Sequence, residues 1–343
     1  MELSIPTDTS CLLLITEKQL IITLMLNRLL RRLLFLQVSI LLELQATWQL
    51  HTRRKLMPNM EQETRKERKL LNVLEKAHGM MRRDHPDQAA EELKKAIDRI
   101  EALEEYQDGE TWEMHSFVEP FEDVLYHELF PVSKDVKNTY EPVSEVYLQY
   151  ASALFELERY EEAEAAVKQA IRWAPTHAKN YFEYMELLKQ KGDLEEFFQI
   201  NLETFHFTYI PQDIARLYRN LGYYFLEKGR YNEALACITM SLNFDSENKQ
   251  GKQLLYFIQE TGGRDVKEPT FEALQQYGEK YGFPAGAAPE VVSLAYGYGQ
   301  FYEEQGNREG QQYFYTILYN LTGDEEVKDK LDKLDNSPRI ILS

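Results

Sequence analysis

Two stretches of this chain carry the same helix-turn-helix pattern, and they restrict the fold more than any other feature. One is Val146 to His177, VYLQYASALFELERYEEAEAAVKQAIRWAPTH; the other is Leu217 to Asn248, LYRNLGYYFLEKGRYNEALACITMSLNFDSEN. In each, apolar residues recur at helical spacing on both sides of a short polar turn. Small residues stand where two helices must approach: Ala163 in the first copy, Gly222 and Ala234 in the second. Pro175 stops a helix because it has no N–H to continue the ladder. A hairpin of this kind cannot cover its own apolar face, so neighbouring copies must stack on it. Ala163 and Ala234 are 71 residues apart, two periods of about 34 residues plus three. Between the copies, Ala178 to Pro211 is a weaker one with Tyr181, Tyr184, Leu188 and Gly192. There Phe197 takes the place of a small residue, which predicts a splayed or shifted helix pair.

The order of residues resembles the tetratricopeptide repeat, in which an aromatic, Leu-Gly and Tyr precede Ala, Phe and Pro. From Ser144, Tyr147 stands at the first aromatic site, Tyr150 and Ala151 replace Leu-Gly, and Leu154 replaces the Tyr. Tyr160, Ala163, Val167, Ala170 and Pro175 follow. From Ala215 the series is Tyr218, Leu221, Gly222, Phe225, Gly229, Tyr231, Ala234, Ile238 and Ser241, with Ser246 in place of the closing Pro. A further resemblance begins at Val291, where Ala295, Tyr298, Gly299, Tyr302, Gly306, Tyr315 and Leu318 are in phase and Gln311 stands where Ala is expected. The likeness spans residues 70 to 335 loosely and 144 to 248 strongly. It looks most like bacterial members of the family that lack an assigned activity. It implies an all-α, right-handed helical-hairpin solenoid with irregular insertions.

Four segments are expected. Residues 1–56 are a leucine-rich basic extension, 60–143 a degenerate hairpin plus an insertion, 144–262 the repeat core, and 268–335 a C-terminal helical pair with a cap. The insertion, Tyr106 to Ser144, is punctuated by Pro120, Pro131 and Pro142. It predicts one or two short helices that pack Trp112, Phe117, Phe121, Tyr126 and Phe130 against the array. The extension carries seven basic and four acidic residues, so it is +3 in a chain of net charge -18. Its apolar run, Gln19 to Gln45, is interrupted by Asn27, Arg28, Arg31 and Arg32, short of the ~20 apolar residues that a membrane-spanning helix needs. It reads as an amphipathic helix on a membrane surface, a cap for the array or a partner helix. Met57 and Met60 each precede an ordinary helical start, so residues 1–56 also read as upstream sequence outside the native protein; intact mass of the native protein decides between these.

Chemistry finds little support. Cys11 and Cys237 are too far apart in the chain to form a CxxC pair, and Cys237 reads as a buried inert thiol. Gly297 and Gly299 make a Gly-x-Gly, but Tyr302 blocks a dinucleotide fingerprint and no strand precedes it, so these are helix-packing glycines. No histidine forms a zinc motif. His115 and His127 lie near Glu119, Glu122 and Glu128, a weak metal candidate, while His177 falls in a repeat turn where solvent is expected. The sequence therefore points to no enzyme and no cofactor. The acidic balance argues against a nucleic-acid partner and fits a cytoplasmic setting.

What remains is binding. The resemblance implies that the first helices of successive repeats line a concave groove holding an extended peptide or a helix. In this phase the groove presents Leu148, Ser152 and Phe155, then Lys179, Phe182, Glu186 and Lys189, then Arg216, Arg219, Tyr223 and Glu227. Its candidate binding residues are Leu148, Phe155, Lys179, Phe182, Lys189, Arg216, Arg219 and Tyr223. A basic, aromatic centre suits an acidic or C-terminal peptide, and the competing reading is internal pairing with nearby glutamates. The Lys-and-Asn set of chaperone-binding members is missing, because Leu148 and Ser152 occupy its first two sites. The expected function is a non-catalytic scaffold or adaptor. The alternatives are a membrane-surface assembly factor anchored by residues 19–45, and a peptide-responsive regulator.

Overall fold

The periodicity becomes helices almost throughout. The computed structural model describes residues 57–139, 141–262, 267 and 269–336, so the expectations placed on residues 1–56, Cys11 included, lie outside the described residues. The chain divides into two units, Met1–Arg65 and Lys66–Ser343, and the second carries the architecture that follows. Helices α1 (Met57–Met81) and α2 (Pro86–Ala102) come first, and Leu74 and Ala77 of α1 are buried. On α2 the residues Ala89, Leu93, Ala96, Ile97 and Ile100 are all buried, the stripe expected of a half-covered helix.

Three hairpins then stack: α4 (Val143–Glu156) with α5 (Tyr160–Trp173), α6 (Ala178–Lys191) with α7 (Leu194–Phe205), and α8 (Pro211–Glu227) with α9 (Tyr231–Phe244). The first and third pairs pack closely, and α6 and α7 less so. The residue identities account for this. Ala163, Ala170 and Ala234 are fully buried and small, whereas Phe197 fills the equivalent space in the middle pair. At Gly222 a Cβ would run into Ile238 Cδ1, so the closest approach of α8 and α9 depends on the missing side chain. The three residues that lengthen the period near Pro211 fall in the α7–α8 loop and the added first turn of α8, which runs 17 residues. A buried polar clip joins the first two hairpins. Asn180 donates to the carbonyls of Ala170 (2.9 Å) and Ala174 (3.1 Å) and to Ser144 Oγ (3.0 Å), and Ser144 Oγ donates to Ala170 O (3.0 Å). Every donor there has a partner, which a dry interface requires.

Helix α10 (Lys249–Gly262) lies on α9, and α11 (Phe271–Tyr281) also returns to α9. The C-terminal pair is α12 (Pro289–Glu304) and α13 (Arg308–Thr322), followed by α14 (Glu325–Asn336). A Cβ on Gly299 would meet the Tyr315 ring at 2.5 Å, so the Gly-x-Gly glycine serves helix packing.

The insertion differs from its expectation. It holds helix α3 (Pro120–Leu129), but on either side stand two short parallel strands, β1 (Trp112–His115) and β2 (Asp135–Asn138). Each is four residues long and pairs with the other across the intervening helix, a pairing that local periodicity does not reveal. Phe121 is fully buried, edge-on to Tyr209 (5.1 Å) and Phe314 (5.4 Å). Tyr126 stacks on Phe130, which leans on Phe207. Trp112 instead lies under Lys137, 3.6 Å from the ring centre, rather than against the array. The insertion thus joins the α5–α6 turn to the C-terminal pair. Ser116 N donates to Trp173 O (2.7 Å), Thr176 Oγ1 to Glu122 O (2.8 Å) and Phe121 N to Tyr313 Oη (3.3 Å). His177, expected in solvent, is buried, with Nδ1 2.6 Å from Glu122 Oε1. A repeat turn is exposed only if nothing packs on it, and here α3 does.

Candidate peptide-binding face

The first helices α4, α6 and α8 lie side by side, and their shared face is where a charged and aromatic strip forms. Its members come from successive turns. Lys179, Phe182, Glu183, Glu186 and Lys189 ride one side of α6 at spacings of three and four; Asp213, Arg216, Arg219 and Tyr223 do the same on α8. Contacts run from helix to helix. Ser152 Oγ donates to Glu183 (3.3 Å), Arg216 Nη2 reaches Glu186 Oε1 (3.2 Å), and Lys189 Nζ reaches both Glu186 Oε1 (3.0 Å) and Asn220 Oδ1 (3.4 Å).

The eight candidate residues divide into a floor and a surface. Leu148 is buried and Phe182 is only 1% exposed, so neither is presented to a ligand as the spacing implied. A helix face that meets a neighbouring helix is consumed by packing, as α4 meets α6 here. Phe182 instead carries the Arg216 guanidinium, 4.5 Å from the ring centre. Phe155 is half-buried, edge-on to Tyr160. Tyr223 is half-buried against Phe197, and Lys189 Nζ stands 5.2 Å from its ring centre. Lys179 is exposed at the start of α6 and feels the Asp213 carboxylate. Arg219 is the most enclosed cation. Its side chain is 11% exposed, Nη1 is 3.9 Å from Asp245 Oδ2, and Nη1 makes no hydrogen bond. Burial, with Arg216 beside it, pulls the Arg219 guanidinium pKa down, and Asp245 opposes that.

Two carboxylates of the strip escape a reading based on basic residues. Glu183 and Asp213 are both pushed above the usual carboxylate range by burial, against the pull of Arg216 on the first and of Lys179 on the second. Their spacing was the available signal: Glu183 is four residues after Lys179, and Asp213 three before Arg216. The strip is therefore an alternation of both charges over an aromatic floor, not a purely basic patch. Such an arrangement can exchange an internal carboxylate for one on a ligand, and an internal cation for a ligand cation.

Stacked hairpins with Ala and Gly at their close contacts define an all-α helical-repeat protein. Residues 144–177 match the family model of the tetratricopeptide repeat. That stretch thus carries one tetratricopeptide repeat, a motif whose proteins generally mediate protein–protein interactions. Among solved structures it is similar to PilF of Pseudomonas aeruginosa, at 14% identity and a TM-score of 0.41, over 77% of this chain and 97% of that one. It is also similar to a tetratricopeptide repeat protein from Parabacteroides merdae ATCC 43184, at 12% identity and a TM-score of 0.37, over 78% and 99% of the two chains. A thermophilic member from Thermus thermophilus follows, at 11% identity and a TM-score of 0.27, over 56% and 98%. No functionally curated protein matches the sequence.

Proposed function

We propose that this protein is a non-catalytic scaffold that holds a peptide or helix of another protein, in the cytoplasm, against the face formed by α4, α6 and α8. The observation that carries this is the enclosed guanidinium of Arg219, whose Nη1 is without a hydrogen bond while Arg216 and Lys179 stand along the same face. The charge of this enclosed group is little screened by water, and a ligand oxygen gains from it while bonding Arg216 and Lys179 at the surface. Acidic side chains or a terminal carboxylate of the partner fit it, and neutral or basic ones the adjoining Glu183 and Glu186.

The test is a pull-down with the full chain against its variant Lys179→Glu/Arg216→Glu. Both residues lie at the surface of the strip, so the fold is retained, whereas reversal of Arg219 would bury a carboxylate. The expected result is loss of the proteins retained by the unmodified chain, with an unchanged circular dichroism spectrum. Equal retention of the same proteins by the variant would rule this face out.

A further inference from the structure

Helix α10 has a covered side and an uncovered one. Gly251 and Ile258 are buried and Leu254 and Leu255 half-buried, all toward α9. A Cβ on Gly251 would meet Leu242 Cδ2 at 2.9 Å, so this contact is close. In the three preceding hairpins the first helix is covered further by its own second helix. After α10 the described residues do not supply one. Helix α11 packs against α8 and α9 instead, where Tyr281 lies on Phe225 (4.9 Å between ring centres) and bonds to Glu233 (3.2 Å). Tyr256 and Phe257 consequently remain 66% and 53% exposed, adjacent on the outer side of α10. Two neighbouring aromatics left in water at the end of a stacked array are an unfinished interface.

The charges around them are self-complementary. Lys252 stands one turn before Tyr256 and Glu260 one turn after, and both are exposed. An antiparallel copy of the same helix, related by a two-fold axis near Tyr256, therefore sets each Lys252 beside Glu260 of the partner subunit and the aromatic pairs on one another. Among the described residues Lys252 is engaged only with Glu247 (3.2 Å), itself 89% exposed, a contact that costs little to release. We propose that the outer side of α10 is the contact by which two copies of this chain pair, antiparallel, through Tyr256 and Phe257 with reciprocal Lys252–Glu260 bridges. This lies apart from the α4–α6–α8 face and does not depend on it. A contact of one helix with another is at the small end of interfaces, so the pairing is a concentration-dependent equilibrium.

Sedimentation of the full chain over about a hundredfold range of concentration reads that equilibrium. A rise from monomer to dimer mass is expected. Phe257→Asp should weaken the dimer by at least about tenfold without changing the helical spectrum, since the side chain is exposed. Lys252→Glu and Glu260→Lys should each weaken it several-fold, and the double variant, which restores opposite charges across the two-fold axis, should recover it. A monomer at every concentration assigns the face to another occupant and overturns the proposal. So does a dimer indifferent to Phe257→Asp, or a double charge exchange no better than the single ones.

Discussion

The repeat core and the insertion are held together by different means. In the core, α4 with α5 and α8 with α9 meet through residues with almost no side chain, and the polar groups between hairpins, Ser144 and Asn180, are fully bonded. In the insertion, α3 is fixed by a buried carboxylate. Glu122 Oε2 accepts from Val118 N (2.8 Å) and Glu119 N (3.4 Å), while Oε1 meets His177. Near it, His115 Nδ1 and Tyr209 Oη are buried without a hydrogen bond. Shape complementarity tolerates no added atoms, whereas a polar clasp tolerates no removed ones. The core is the same device repeated, and the insertion is a single-use joint between distant parts of the chain.

This contrast can be broken at either end. Removing the clasp should have the largest effect. Glu122→Ala strips two backbone donors and His177 of their partner, and urea unfolding should show a loss of about 3–5 kcal/mol. A loss below that of the next variant would mean that apolar contacts of Phe121, not the carboxylate, hold α3. Gly222→Leu overpacks α8 against Ile238 and should cost about 1–3 kcal/mol in the same assay; an unchanged midpoint would show that the hairpins separate freely.

Acid should also weaken the insertion. His115 is stacked on Phe117 (5.0 Å) and tilted against Tyr126 (4.6 Å), with Nε2 3.3 Å from Glu113 Oε1. Burial pushes its pKa below the ordinary 6.5; Glu113 opposes this, and Arg172 reinforces it. The unfolded chain thus binds the proton first, so the stability His115 contributes is complete above pH 6.5 and is lost as pH falls through the lower folded value. Asp123, which faces His115 and His127, is raised by burial and titrates with the opposite sign. Unfolding free energies measured between neutral and mildly acidic pH should therefore fall more steeply for the unmodified chain than for His115→Phe. Parallel slopes would remove His115 from the acid response.

The smallest effect lies in the α4–α5 turn. Glu158 adopts a φ of 57°, the left-handed conformation that Gly192 (75°), Gly229 (69°) and Gly306 (66°) take at the matching turns. Glu158→Gly should raise stability by up to about 1 kcal/mol, the relief of a strained backbone less the added freedom of the unfolded chain. A lower melting temperature would show that the strain is already compensated.

The repeated hairpins were legible because their cause is local: period, small residues, turn glycines and Pro175 all act within one helix pair. Phe197 even announced the looser middle pair. The candidate face was legible in part. Lys179, Lys189, Arg216, Arg219 and Tyr223 share one side of α6 and α8 as their spacing required, but Leu148 and Phe182 became its floor because adjacent first helices cover them. The opposing carboxylates Glu183 and Asp213 were visible in spacing. A carboxylate on a helix of an acidic chain reads as solvent-facing, however, and only the neighbouring helices desolvate these two.

By itself, then, the sequence determined an all-α array of hairpins and where its helices approach most closely, since steric period and side-chain volume are properties of neighbours in the chain. Tertiary structure alone decided that His177 is buried, that β1 and β2 pair across α3, and that α10 keeps Tyr256 and Phe257 outward. Each of these depends on what segments far apart in the chain place against one another, and no local pattern carries that information.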